Sequence, residues 1–112
     1  MSRPAQKRAF GVAAGLPEEV CGPLAAAVQD AGYDSIWAND HPFAKGLETL
    51  AEFAGAADDI DLGVAVIALD RQGADVIAED IKRLDLDPAR LWIGVGAGFS
   101  KKPLTFMKEQ IS

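Results

Sequence analysis

Four apolar runs set the terms for what this chain can fold into. They cover residues 8–14, 35–38, 61–68 and 91–95, and each reads as a strand. The third, Leu62-Gly63-Val64-Ala65-Val66-Ile67-Ala68, and the fourth, Leu91-Trp92-Ile93-Gly94-Val95, are nearly unbroken. Unbroken rather than alternating runs predict strands buried on both faces, as in a parallel sheet. Helical patterns separate the runs. The first opens at Gly22-Pro23, where a proline at the first helical position sacrifices no bond, and stops at Gly32. The second spans 47–57, with Leu47, Leu50, Ala51, Phe53 and Ala54 on its buried side. The third spans 74–84, with Ile77, Ile81 and Leu84 inward and Glu79, Asp80, Lys82 and Arg83 outward. A fourth begins at Pro103-Leu104 and carries Met107 and Ile111.

The order βαβαβαβα with short connections predicts an α/β fold: a parallel sheet with right-handed crossovers. Four such strands make either a small open sheet or part of an eight-stranded (β/α)8 barrel, which takes about 250 residues. The 112 residues are one domain, 1–112, and a barrel does not close within them. A partial barrel leaves sheet edges and an apolar inner face uncovered. It calls for the remainder of the barrel or a second copy of the chain.

Composition narrows the partners. Seventeen acidic against eleven basic residues give a net charge of −6, a poor match for nucleic acid or an anionic membrane surface. No apolar stretch approaches the roughly 20 residues that cross a bilayer. The basic start, Met1 to Arg8, runs through a short apolar stretch into Gly15, Pro17, Glu18 and Glu19, so it does not read as a signal peptide. The expected location is cytoplasmic. Cys21 is the one cysteine, which excludes an internal disulfide or a cysteine-based zinc cluster. The acidic groups Glu18-Glu19 and Asp58-Asp59-Asp61 lack metal-ligand spacing and read as solvated surface, so no metal site is expected.

A parallel sheet binds ligands at the carboxyl ends of its strands. Here those ends carry Ala14-Gly15-Leu16, Asn39-Asp40-His41-Pro42, Ala68-Leu69-Asp70-Arg71 and Gly96-Ala97-Gly98-Phe99. His41 is the single histidine and can exchange a proton near neutrality. Asp40 beside it can hold a ring nitrogen or a ligand N–H. The plainer reading is that Asp40 caps the loop and His41 packs. The glycines of Gly94-Val95-Gly96-Ala97-Gly98 admit close approach of a ligand or relieve crowding at a barrel corner. Their spacing resembles a dinucleotide fingerprint without its third glycine. Asp70-Arg71 reads as a local ion pair or solvated loop, Trp37 and Trp92 as core, and Cys21 as a thiol without a catalytic setting.

Three blocks then stand out together. Ala31-Gly32-Tyr33-Asp34-Ser35-Ile36-Trp37-Ala38-Asn39-Asp40-His41 resembles the second-strand region of the luciferase-like monooxygenase family. Ile60-Asp61-Leu62-Gly63-Val64-Ala65-Val66-Ile67 resembles its third strand. Asp87-Pro88-Ala89-Arg90-Leu91-Trp92-Ile93-Gly94-Val95-Gly96-Ala97-Gly98 resembles its fourth strand and following loop. The blocks occur in the family's order and are most similar to the branch that uses the deazaflavin coenzyme F420; FMN is the alternative. The resemblance implies a (β/α)8 barrel, of which this chain covers the N-terminal part, with about four strands. It implies hydride transfer between the coenzyme ring and a small organic substrate. It puts Asp40 and His41 beside the ring, with His41 exchanging the proton. It puts a cis peptide at Ala65-Val66 behind the ring, and Gly96, Ala97 and Gly98 near it. Phe99 stands where some sugar-phosphate dehydrogenases of the family carry Glu, and the family's phosphate contacts come from later strands. Two other readings stay open: a catalytically inactive partial barrel that self-associates or binds a partner, and a small Rossmann-like nucleotide binder.

Overall fold

Each of the first three strands is followed by a crossover that returns the chain parallel to it. The structure, a computed structural model, describes residues 7–97 and 109–110. Strands β1 (Ala9–Ala13), β2 (Ser35–Asn39), β3 (Asp61–Ala68) and β4 (Leu91–Gly96) form one sheet in the order β1-β2-β3-β4, all pairs parallel. Helices α1 (Glu18–Asp30), α2 (Gly46–Ala54) and α3 (Ala74–Arg83) make the crossovers, and a 3-10 turn, Pro88–Arg90, leads into β4. The α/β alternation and the parallel sheet are as the apolar runs predict. Pro103, Leu104, Met107 and Ile111 of the expected fourth helix lie outside the described residues, while Glu109 and Gln110 are helical.

The core lies between the helices and one face of the sheet. Ile36 and Ala38 of β2 and Leu62, Val64 and Ile67 of β3 meet Leu47, Leu50 and Phe53 of α2 and Cys21, Ala25 and Val28 of α1. Fully burying each large aliphatic side chain there contributes about 1.5–3 kcal/mol. Arg90 ties the α2–β3 connection to β4: its guanidinium donates to the carbonyls of Ala57 at 2.7 Å and Ile60 at 2.6 Å.

Four expectations need correction. The strands are not buried on both faces: Val66 and Trp92 are each 55% exposed, and Ala9, Gly11 and Ala13 are open too. Alternate residues of these runs point away from the helices, and nothing among the described residues covers that side. For the same reason the tryptophans are not core. Trp37 lies flat over Gly63, where a Cβ would overlap its indole, and both indoles reach a hydrogen-bond acceptor, Ser35 and Asp61. Helix α1 starts at Glu18, a turn before Gly22-Pro23, and Pro23 lies inside it. The starting signal is Pro17 followed by two acidic residues, which favour the positive end of the helix dipole. Its end at Gly32 is as expected: Gly32 has φ 84° and Tyr33 N–H donates back to Val28 O. Finally, Asp80 is buried rather than outward. It sits three residues after Ile77 and four before Leu84, on the inward face, and there it accepts from Lys45 of the β2–α2 connection and from Arg83.

Candidate active site at the carboxyl ends of the strands

The end of β2 lies between β1 and β3, so the residues that follow it reach both neighbours. Asn39 pairs with Ala13 on one side and Ala65 on the other. Asp40 N–H donates to Ala65 O at 3.1 Å. The chain then makes a two-residue reversal, His41 and Ala44 exchanging backbone hydrogen bonds of 3.2 and 3.1 Å around Pro42-Phe43. Proline suits that position because its φ is preset. The reversal leaves Phe43 95% exposed at its tip.

His41 bridges two loops. Its Nε2 lies 3.0 Å from Ala14 O, at the end of β1, and its Nδ1 accepts from Phe43 N–H at 3.3 Å. With Nδ1 accepting from Phe43 N–H, Nε2 is the ring atom that donates to Ala14 O. The one ring atom that can take a proton is Nδ1, and doing so ends the bond to Phe43. Gly15 follows Ala14 with φ 85°, and its N–H donates to the buried Thr49 hydroxyl at 3.0 Å. That contact fixes the first loop against α2.

Asp40 is almost wholly enclosed, its side chain 1% exposed. Its carboxylate accepts from Gly46 N–H at 2.7 Å and from Gln72 Nε2 at 3.1 Å, with the Arg71 guanidinium 3.9 Å away. Gln72, Arg71, Asp80 and Thr49 are the residues of this end that sequence reasoning missed or misread. Gln72 carried no signal, since its partner is 32 positions away. Arg71 does make an ion pair, and its partner is Asp40 on the neighbouring strand end.

The Ala65–Val66 peptide bond is cis, at the pair the resemblance points to. The β3–β4 register shifts between Val64 and Ile67, so Val66 bulges onto the open face. This explains two glycines. A Cβ on Gly94 would lie 3.1 Å from Ala65 Cβ, and one on Gly96 would lie 3.0 Å from Val66 Cγ1. Both are strand residues beside the bulge. Ala97 is buried, and Gly98 and Phe99 lie outside the described residues. Asp40 thus lies beside Ala65 and Gly96 beside Val66, while the His41 ring reaches the other way, to Ala14 O at the end of β1. Ala65, Gly94 and Gly96 leave little side chain around the exposed Val66 on the open face.

A hollow of about 440 Å³ lies elsewhere, at the amino ends of the strands among Ser35, Trp37, Asp61 and Trp92. Parallel α/β sheets bind ligands at the opposite end, so this hollow belongs to the inner face of the sheet rather than to the site.

Comparison with known proteins decides the family. The family model for luciferase-like monooxygenases matches residues 12–110. This chain belongs to the luciferase-like monooxygenase family. Two solved structures share its fold. The coenzyme F420 dependent tetrahydromethanopterin reductase of Methanopyrus kandleri superposes with a TM-score of 0.70 at 21% identity, over 91% of this chain and 30% of that one. Apo-MsnO8 superposes with a TM-score of 0.63 at 21% identity, over 94% of this chain and 36% of that one. No curated protein matches significantly. The chain therefore spans about a third of the solved relatives' length, and its four parallel strands are part of a (β/α)8 barrel. No helix among the described residues is long and apolar enough to cross a membrane.

Proposed function

We propose that this luciferase-like chain is the N-terminal, ring-binding portion of an oxidoreductase that uses coenzyme F420, with FMN as the alternative, on a small organic substrate. The observation that carries the reading is that the Asp40 backbone, the Ala65–Val66 bulge and Gly96 are neighbours across three adjacent strands, with His41 directly after Asp40. When bound, a deazaflavin supplies a ring carbon that accepts or gives up a hydride. The chain's own residues do the rest. Val66 and the backbone of Ala65 back the ring. Gly96 and Ala97 border it. His41, next to the Asp40 backbone, flanks it, and His41 Nδ1 takes or returns the proton that accompanies the hydride, letting go of Phe43 N–H as it does so. The absence of side chains at Gly94 and Gly96 leaves room for the bulge. A cytoplasmic location accompanies this reading.

Fluorescence titration of the purified chain with F420 and, in parallel, FMN tests it. Saturable binding of F420, weakened about tenfold or more by His41→Ala, is expected, since a charged or neutral hydrogen bond of this kind contributes roughly 1–2 kcal/mol. Tighter binding of FMN would replace the coenzyme. Saturable binding of neither would overturn the reading.

One observation favours a second role. The open sheet face presents Val66 and Trp92 to solvent. A covered barrel interior needs the remaining strands, and the chain by itself would bury this face against a second copy.

A further inference from the structure

Asp40 is the point where three elements cross. Its N–H donates to Ala65 O on β3, and its carboxylate accepts from Gly46 N–H at the start of α2 and from Gln72 Nε2 on the β3–α3 connection. A carboxylate this enclosed needs donors around it. Those donors leave it turned into the protein, away from the open face. Gln72 is itself buried, and its Oε1 is a buried acceptor with no hydrogen-bond partner among the described residues. An unpaired buried carbonyl works against stability, so packing alone gives no reason for an amide at this position. What the amide does is spend its NH2 on Asp40 and join two loops 32 positions apart.

We infer that Asp40 and Gln72 form a latch that locks the β2–α2 connection to the β3–α3 connection and thereby sets the His41 imidazole relative to the Ala65–Val66 bulge. Both are positioning residues, and neither touches the coenzyme. This assigns Gln72 a role and moves Asp40 from beside the ring to behind it. The functional meaning rests on the coenzyme reading above; the latch itself does not.

The test exchanges the two groups. Gln72→Met keeps the side chain's length and removes the donor. Gln72→Glu sets two carboxylates against each other. The double variant Asp40→Asn with Gln72→Glu restores one amide facing one carboxylate, and the oxygen of the introduced amide can still accept from Gly46 N–H. Two readouts are taken: the nitrogen-15 signals of the His41 ring in the free protein, and F420 affinity by fluorescence. Each single variant is expected to move the ring signals and weaken F420 binding about tenfold. The double variant is expected to return the signals and bring affinity to within about threefold of the natural chain. Gln72→Met with unchanged ring signals would overturn the latch, as would a folded double variant that recovers neither readout. Weakened F420 binding in the singles that the double does not restore, with ring signals restored, would mean that Asp40 contacts the coenzyme directly and would overturn its role behind the ring. If the natural chain does not bind F420, the coenzyme reading fails and the ring signals alone judge the latch. If a single variant does not fold, recovery of the fold in the double supports the latch and its failure overturns it.

Discussion

At the scale of single residues, sequence points to the groups of the candidate site and structure shows what each is attached to. Asp40 and His41 are legible because an Asp-His pair follows an apolar strand. Their attachments are not legible, because Ala14 and Gln72 lie 27 and 32 positions away. Asp80 shows the converse. Its spacing from Ile77 and Leu84 put it on the buried face, but its charge argued for solvent. Its chemistry follows from that burial. Burial by itself pushes the carboxyl up, and the hydrogen bonds and charges of Lys45 and Arg83 more than offset it, holding the group below its ordinary value of 3.8. A lowered folded-state value means stability that is fully present above the ordinary value and lost as pH falls through the lowered one. Asp80→Asn should therefore cost about 1 kcal/mol at neutral pH, given that Lys45 and Arg83 are partly exposed. The difference from the natural chain should shrink as pH falls below 3.8 in urea unfolding. An undiminished difference in acid would refute the assignment. Cys21 is the opposite case: burial, then Glu52, Glu18 and Glu19, push its thiol up. It should react with a disulfide reagent at least about tenfold more slowly in the folded chain than in urea.

At the scale of elements, the strands were legible because the strands of a parallel sheet are continuous apolar runs, and all four lie where the runs do. The start of α1 was not, because Gly22-Pro23 and Pro17-Glu18 both carry a starting signal, and only contacts across the fold choose between them. Pro23 inside the helix removes the N–H that would reach Glu19 O. Pro23→Ala should restore that bond and raise the thermal midpoint by about 4 °C or more, the equivalent of about 1 kcal/mol in a domain of this size. An unchanged or lower midpoint would mean that the proline's restriction of the unfolded chain outweighs the bond. The paired glycines of β4 read ambiguously for a related reason. Their spacing suits a phosphate loop or a crowded strand, and the bulge at Val66, on another element, is what makes them necessary.

At the scale of the whole molecule, a partial (β/α)8 barrel was legible from element order and length, while the state of its inner face was not. Apolar runs look the same whether both faces are covered or one waits for further strands. The exposed Trp92 and Val66 make self-association a prediction: the chain should run larger than a monomer in sedimentation velocity at micromolar concentration, and Trp92→Glu should shift it toward monomer. A monomeric natural chain would remove the second role proposed for this face.

The central claim is that the coenzyme ring lies over the carboxyl ends of the strands. Backbone amide chemical shifts recorded with and without F420 test it most directly. Asp40, His41, Ala65, Val66, Gly96 and Ala97 are expected to shift, while Ala9, Ser35, Asp61 and Trp92 at the amino ends are not. Shifts confined to the amino ends, or none at all at saturating F420, would contradict it.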